Sequence, residues 1–159
     1  MEQNPHDIED IPNLPDLTVA IRDLNERGQG VGTVQSDTRT DKICFVDGAL
    51  PGETVTVGIV DEKKNYLVGE LTDILAASPA RQMSDCAYYP ACGSCQLRHM
   101  TYEAETAFKR RRVVDALCHI GPLDEATAER ITAPVRAMDR PVHYRGKSIF
   151  PIRPNDDPD

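Results

Sequence analysis

Cys86, Cys92 and Cys95 lie within ten residues in a Cys-x5-Cys-x2-Cys arrangement. Thiolates are soft ligands, and three packed this closely suit one metal centre better than bridges between distant loops. Gly93 and Ser94 separate the last two, and small residues there let the backbone turn tightly enough to aim both sulfurs at one ion or cluster. A disulfide framework is the competing reading. The total of five cysteines is odd, and no positively charged start followed by an apolar run marks a secreted chain, so metal binding is preferred.

A three-thiolate site needs a fourth ligand, and its identity decides between an iron–sulfur cluster and zinc. Cys118, near the end of a predicted helix, and Cys44, inside an apolar strand, read as small buried hydrophobes. His99 is the nearest rival: four residues after Cys95, it would complete a Cys3His zinc tetrahedron, against the simpler reading of an exposed or helix-capping histidine.

Lys109, Arg110, Arg111 and Arg112 form a second group with its own chemistry. Four consecutive residues span more than one helical turn, so they sheath a helix rather than line one face. One reading is a solvated face with intrahelical pairs such as Glu105 with Lys109. The other is contact with RNA phosphates, for which the planar arginine fork is suited, with Tyr88, Tyr89 or Tyr102 either stacking on bases or packing the cysteine loop.

The elements that must position these groups begin after a leader. Residues 1–16 hold three prolines and five acids with little periodicity and read as flexible. Five β-rich runs follow, Thr18 to Arg22, Gly30 to Val34, Ile43 to Val46, Thr54 to Val60 and Tyr66 to Ile74, which predict a small barrel over residues 17–77. Alternation places Val55, Val57 and Ile59 on one face, and Leu50, Pro51, Gly52 and Glu53 carry turn chemistry. Gly28, Gly30 and Gly32 could be mistaken for a nucleotide loop, but no strand followed by a long helix surrounds them, so a hairpin bend or bulge is expected. A third region, residues 78–150, opens at the break of Ser78 and Pro79. Its helix is predicted from an N-cap at Thr101 to a stop at Gly121 and Pro122, with Val113, Leu117 and Ile120 facing a core.

Composition narrows the class. At 159 residues and 40% hydrophobic content the chain can bury a modest core, and it has no continuous apolar stretch of membrane-spanning length, so no membrane partner and a cytoplasmic location are expected. Residues 1–80 carry 15 acidic and 6 basic side chains, whereas residues 81–159 carry 11 and 12, so nucleic-acid contact should favour the second half.

The run from Arg81 through Cys86, Cys92 and Cys95 to Tyr102, followed by Lys109, resembles the iron–sulfur segment of the S-adenosylmethionine-dependent RNA uracil-C5 methyltransferases. The stretch containing Gly28, Gly30, Gly32, Cys44, Val46, Gly48, Gly52 and Glu53 is similar to that family's TRAM domain, a small OB-like RNA-binding barrel. Tyr144, Arg145, Gly146 and Lys147 resemble the Tyr-Arg-Asn-Lys stretch that opens the family's central region. The resemblance covers about residues 17–150. It implies that Cys86, Cys92 and Cys95 bind a 4Fe–4S cluster and that barrel and basic helix recognise RNA, either rRNA or tRNA.

The expected fold is therefore mixed α and β: a five-stranded OB-like barrel, then a cysteine-rich loop and a basic helix. The family's fourth cluster cysteine, its Rossmann-like catalytic domain with bound S-adenosylmethionine and its nucleophilic cysteine have no counterpart in the sequence. Residues 151–159, proline-rich and acidic, read as a disordered tail. The resulting expectation is a truncated or frame-shifted enzyme, inactive alone and dependent on a separate catalytic polypeptide. An autonomous RNA-binding or redox-responsive module and a structural zinc module are the alternatives.

Overall fold

A computed structural model of the chain describes residues 16–35, 42–142, 144, 146 and 147. The expected leader, apart from residue 16, and the expected tail lie outside the described residues, as does Arg145 of the family-like stretch. The chain divides into two units, residues 1–81 and residues 82–159.

The first unit is a closed five-stranded barrel. Its strands are β1 (Leu17–Leu24), β2 (Gly30–Val34), β3 (Ile43–Val46), β4 (Thr54–Glu62) and β5 (Tyr66–Ala76), joined in the order β1-β2-β3-β5-β4 with β4 returning to β1. Every pairing is antiparallel except β3 with β5. Strict alternation drives closure: Val19, Ile21, Cys44, Val46, Val55, Val57, Ile59 and Leu67 point inward and are buried. β1 departs from that period once. Arg22 is an extra residue opposite β2, so parity switches and Leu24, rather than Asp23, is buried.

Two glycines are set by geometry. Gly52 takes φ 85° in the turn closed by the Glu53 N–H donating to the Leu50 carbonyl at 3.1 Å, with Pro51 presetting the preceding dihedral. At Gly32 a Cβ would lie 2.4 Å from the Ala20 carbonyl oxygen and 2.5 Å from Val19 Cγ1, so β1 and β2 can approach only here without a side chain. The Gly28–Gly32 segment is thus the β1–β2 hairpin bend and strand, not a phosphate-binding loop.

In the second unit the cysteine loop leads into α1 (Tyr102–His119), and α2 (Glu125–Ile131) follows. Thr101 caps α1 as expected, its hydroxyl oxygen accepting from the Ala104 N–H, with Glu103 and Glu105 in the dipole-favoured first turn. The core-facing side of α1 differs from the expected one. Val113 and Ile120 are exposed, Ile120 at 89%, and the fully buried position is Val114. The cause is α2: Arg110, one turn before Val114, carries the contacts to α2, and this sets the buried stripe one residue away from the Val113–Leu117–Ile120 line. α2 was not anticipated from sequence, although Asp124 caps it in standard fashion by accepting from the Thr127 N–H at 3.0 Å.

Candidate functional site

The cysteine loop is folded by short backbone contacts. The Gln82 N–H donates to the His99 carbonyl at 2.9 Å, closing the loop's two ends. Inside it, Tyr89 N–H meets the Cys86 carbonyl, Cys92 N–H the Tyr88 carbonyl and Gly93 N–H the Pro90 carbonyl, a succession of tight turns in which Gly93 takes φ 69°. Arg98 ties down the rim by pairing with Asp85 at 2.6 Å.

Cys86 and Cys95 are exposed, Cys92 is half-buried, and all three are free thiols. Hydrogen bonds from Ser94 hold the Cys92 thiol below its ordinary range, favouring the thiolate that a metal requires. The Arg98 guanidinium is raised chiefly by its hydrogen bond to Asp85, with smaller contributions from the charges of Cys95 and Cys86, so both sulfurs lie within electrostatic reach of one cation. This donor set suits a soft metal. Among the described residues, however, no three His, Cys, Asp or Glu side chains are gathered to hold an ion. His99 in particular is not brought together with the cysteines as a tetrahedral set. It is buried, hydrogen-bonded through Nδ1 to the Tyr89 hydroxyl and stacked on that ring at 5.9 Å between centroids. That arrangement makes it a packing residue of the loop rather than the exposed histidine of the simpler expectation.

Of the two remaining cysteines, Cys44 is buried as expected and Cys118 is not fully so. Cys44 is wholly buried in the barrel, and burial pushes its thiol up to about 11; Cys118 is half-buried on α1.

The basic run divides by role. Lys109 pairs with Glu105 one turn back. Arg110 grips the end of α2: Nε donates to the Thr132 carbonyl at 3.1 Å, Nη2 to the Glu129 carbonyl at 2.8 Å, and Nη1 pairs with the Glu129 carboxylate. A guanidinium is well placed there, because the last carbonyls of a helix carry partial negative charge and lack intrahelical donors. Arg111 bridges Asp115 and Glu125 at 2.8 Å each. Arg112 has no ion pair among the described residues and borders a shallow apolar hollow with Val113, Leu117 and Ile120. The loop tyrosines separate likewise: Tyr89 packs on His99, the Tyr102 hydroxyl accepts from the Met138 N–H at 2.9 Å, and Tyr88 stands exposed.

Two features carried no local sequence signal. The first is a buried ion pair in the barrel unit. The Glu53 carboxylate accepts from Arg81 Nε at 2.5 Å and Nη2 at 2.8 Å, and from the backbone N–H groups of Leu50 and Ser78, while Arg81 also donates to the Gly48 carbonyl. Burial pushes the Glu53 carboxyl up, but the hydrogen bonds and charge supplied by Arg81, with the two backbone donors, outweigh it and leave it below its ordinary range. These bonds fasten Ser78 and Arg81 to the barrel within the first unit. The second is an aromatic pair on the barrel's outside. Phe45 and Tyr66 meet edge to face with centroids 5.5 Å apart.

Residues 16–72 match the model of the TRAM domain. A protein of Clostridium tetani named as an uncharacterized RNA methyltransferase is 38% identical over 145 residues, covering 90% of this chain and 29% of its own length. Proteins of the same description from Halalkalibacterium halodurans and Gloeobacter violaceus are 35% and 38% identical over 136 residues, covering 86% of this chain and 28% of theirs. The chain therefore spans less than a third of these relatives. Among the described residues no helix is long and apolar enough to cross a membrane. The closed five-stranded barrel is thus an OB-like TRAM domain over residues 16–72, and the chain as a whole is similar to a segment of proteins named as RNA methyltransferases.

Proposed function

We propose that this chain is the RNA-binding, iron–sulfur-bearing front end of a cytoplasmic RNA uracil-C5 methyltransferase acting on rRNA or tRNA. The observation that carries the reading is the succession of a closed TRAM barrel and a three-cysteine loop in a chain aligned with RNA methyltransferases. Cys86, Cys92 and Cys95 would hold a 4Fe–4S cluster, which when bound braces the loop as a rigid surface. The lowered Cys92 thiol and the cation of Arg98 beside Cys86 and Cys95 favour the thiolate state that such a centre needs.

The chain's own residues position RNA. Arg112, and the outward sides of Lys109 and Arg111, are the cations of the run placed to meet phosphate, while Arg110 is committed to α2. Methyl transfer and S-adenosylmethionine binding belong to polypeptide outside these 159 residues, attached or separate. Anaerobic reconstitution with iron and sulfide tests the cluster. Brown protein with about four irons per chain supports it, and colourless protein retaining one zinc would replace it with the structural zinc reading.

A further inference from the structure

We propose that Phe45 and Tyr66 form a stacking platform for an unpaired RNA base on the outer face of β2, β3 and β5. This rests on the RNA-binding reading above and locates where on the barrel the contact is made.

Inward placement of Cys44 and Val46 forces Ile43 and Phe45 outward on β3, and the same alternation turns Val31 and Thr33 outward on β2 and Tyr66 and Val68 on β5. Register then aligns them. Val31 lies opposite Phe45, which lies opposite Val68; one step along, Thr33 lies opposite Ile43, which lies opposite Tyr66. The outcome is an apolar, aromatic patch crossing three adjacent strands, with Tyr66 38% exposed. Strands 2 and 3 are the face through which OB-like barrels engage oligonucleotides. The edge-to-face pair also leaves the two rings steeply inclined, at 69°, so one ring can accept a base while the other walls its edge.

Charge at the patch favours a nucleic acid over an apolar peptide. Lys42 precedes β3, and Lys63 and Lys64 precede Tyr66, so three lysines border the Tyr66 end. Lys42 pairs with Glu62 and Lys63 with Asp61, whereas Lys64 has no ion pair among the described residues. Lys64 is therefore the one lysine of the three left to meet phosphate at this edge. The first half of the chain is otherwise strongly acidic, with 15 acids to 6 bases over residues 1–80, so electrostatics cannot supply most of the affinity. Stacking must supply it, and a base stacked on an aromatic ring is recognised without regard to its identity.

The test measures binding of labelled oligouridylate to the full chain by fluorescence anisotropy, with ultraviolet cross-linking to map the contact. Tyr66→Ala and Phe45→Leu should each weaken binding by about 5- to 150-fold. Tyr66→Phe, which keeps the ring, should stay within about threefold of the parent. Cross-links should fall on the peptides carrying Phe45 or Tyr66. If Phe45→Leu fails to fold, the exposed Tyr66 variants and the cross-link decide. Binding by the parent that Tyr66→Ala leaves unchanged, with cross-links elsewhere, would overturn the platform while leaving RNA binding in place. Absence of binding by the parent to both oligouridylate and structured RNA would overturn the RNA reading itself.

Discussion

Arg81 closes on Glu53 with two hydrogen bonds, at 2.5 and 2.8 Å, across 28 residues of sequence, and so ties the chain leaving β5 to the turn that precedes β4. A buried carboxylate with four donors is fully satisfied, and deleting one partner strands the other in a low-dielectric site. Arg81→Ala should therefore destabilise the barrel by about 3 kcal/mol, measured by urea unfolding.

The same pair sets an acid limit. Because the Glu53 carboxyl is held below its ordinary value in the folded state, its contribution is complete above the unfolded carboxylate range of about 4.3 and disappears as pH falls through the lower folded value. Thermal unfolding should show stability falling below about pH 4.5. In Glu53→Gln that portion of the acid dependence should vanish, at the expense of lower stability near neutrality.

Thiol labelling should rank the cysteines. At pH 7 Cys44, buried and pushed up to about 11, exists as thiolate to roughly one part in ten thousand and should resist iodoacetamide until the barrel unfolds. Cys86, Cys92 and Cys95 should react quickly in the metal-free chain and be protected once a cluster is bound. Mass spectrometry of the labelled peptides checks both statements.

Arg110 and Arg112 are neighbours with opposite duties. Arg110→Ala removes the donors to the Glu129 and Thr132 carbonyls and should destabilise the second unit by about 2 kcal/mol. Arg112→Ala should leave stability unchanged, weaken RNA binding and flatten the slope of log K against log salt by about 0.7 to 0.9. Salt titrations beside urea melts separate the two.

The buried side of α1 can be tested likewise. Val114→Ala should lose about 2 kcal/mol through removed methyl groups and the space they leave. Ile120→Gln, at an exposed position, should change stability by less than about 0.5 kcal/mol.

Much of this architecture was legible in the residues themselves. Alternation over Val55, Val57 and Ile59, the Pro51–Gly52 turn and the Thr101 cap are local signals, and local signals place the strands and the helix start. What escaped was non-local or ambiguous. The Glu53–Arg81 pair has no periodic trace, and the extra residue in β1 becomes visible only against its partner strand. On α1 the Val113–Leu117–Ile120 line and the Arg110–Val114 line differ by one residue, and the charge of Arg110 disguises an interhelical residue as a solvent-facing one. The Phe45–Tyr66 pair was hidden because parallel pairing of β3 with β5 joins residues far apart in the chain.

RNA recognition by the full chain, reconstituted with iron and sulfide, is tested by anisotropy titration against labelled rRNA and tRNA transcripts over a range of salt. Saturable binding to one of them that weakens as salt rises is the predicted result. Absence of saturable binding to either at low salt, by chain shown to be folded, would contradict an RNA-binding role.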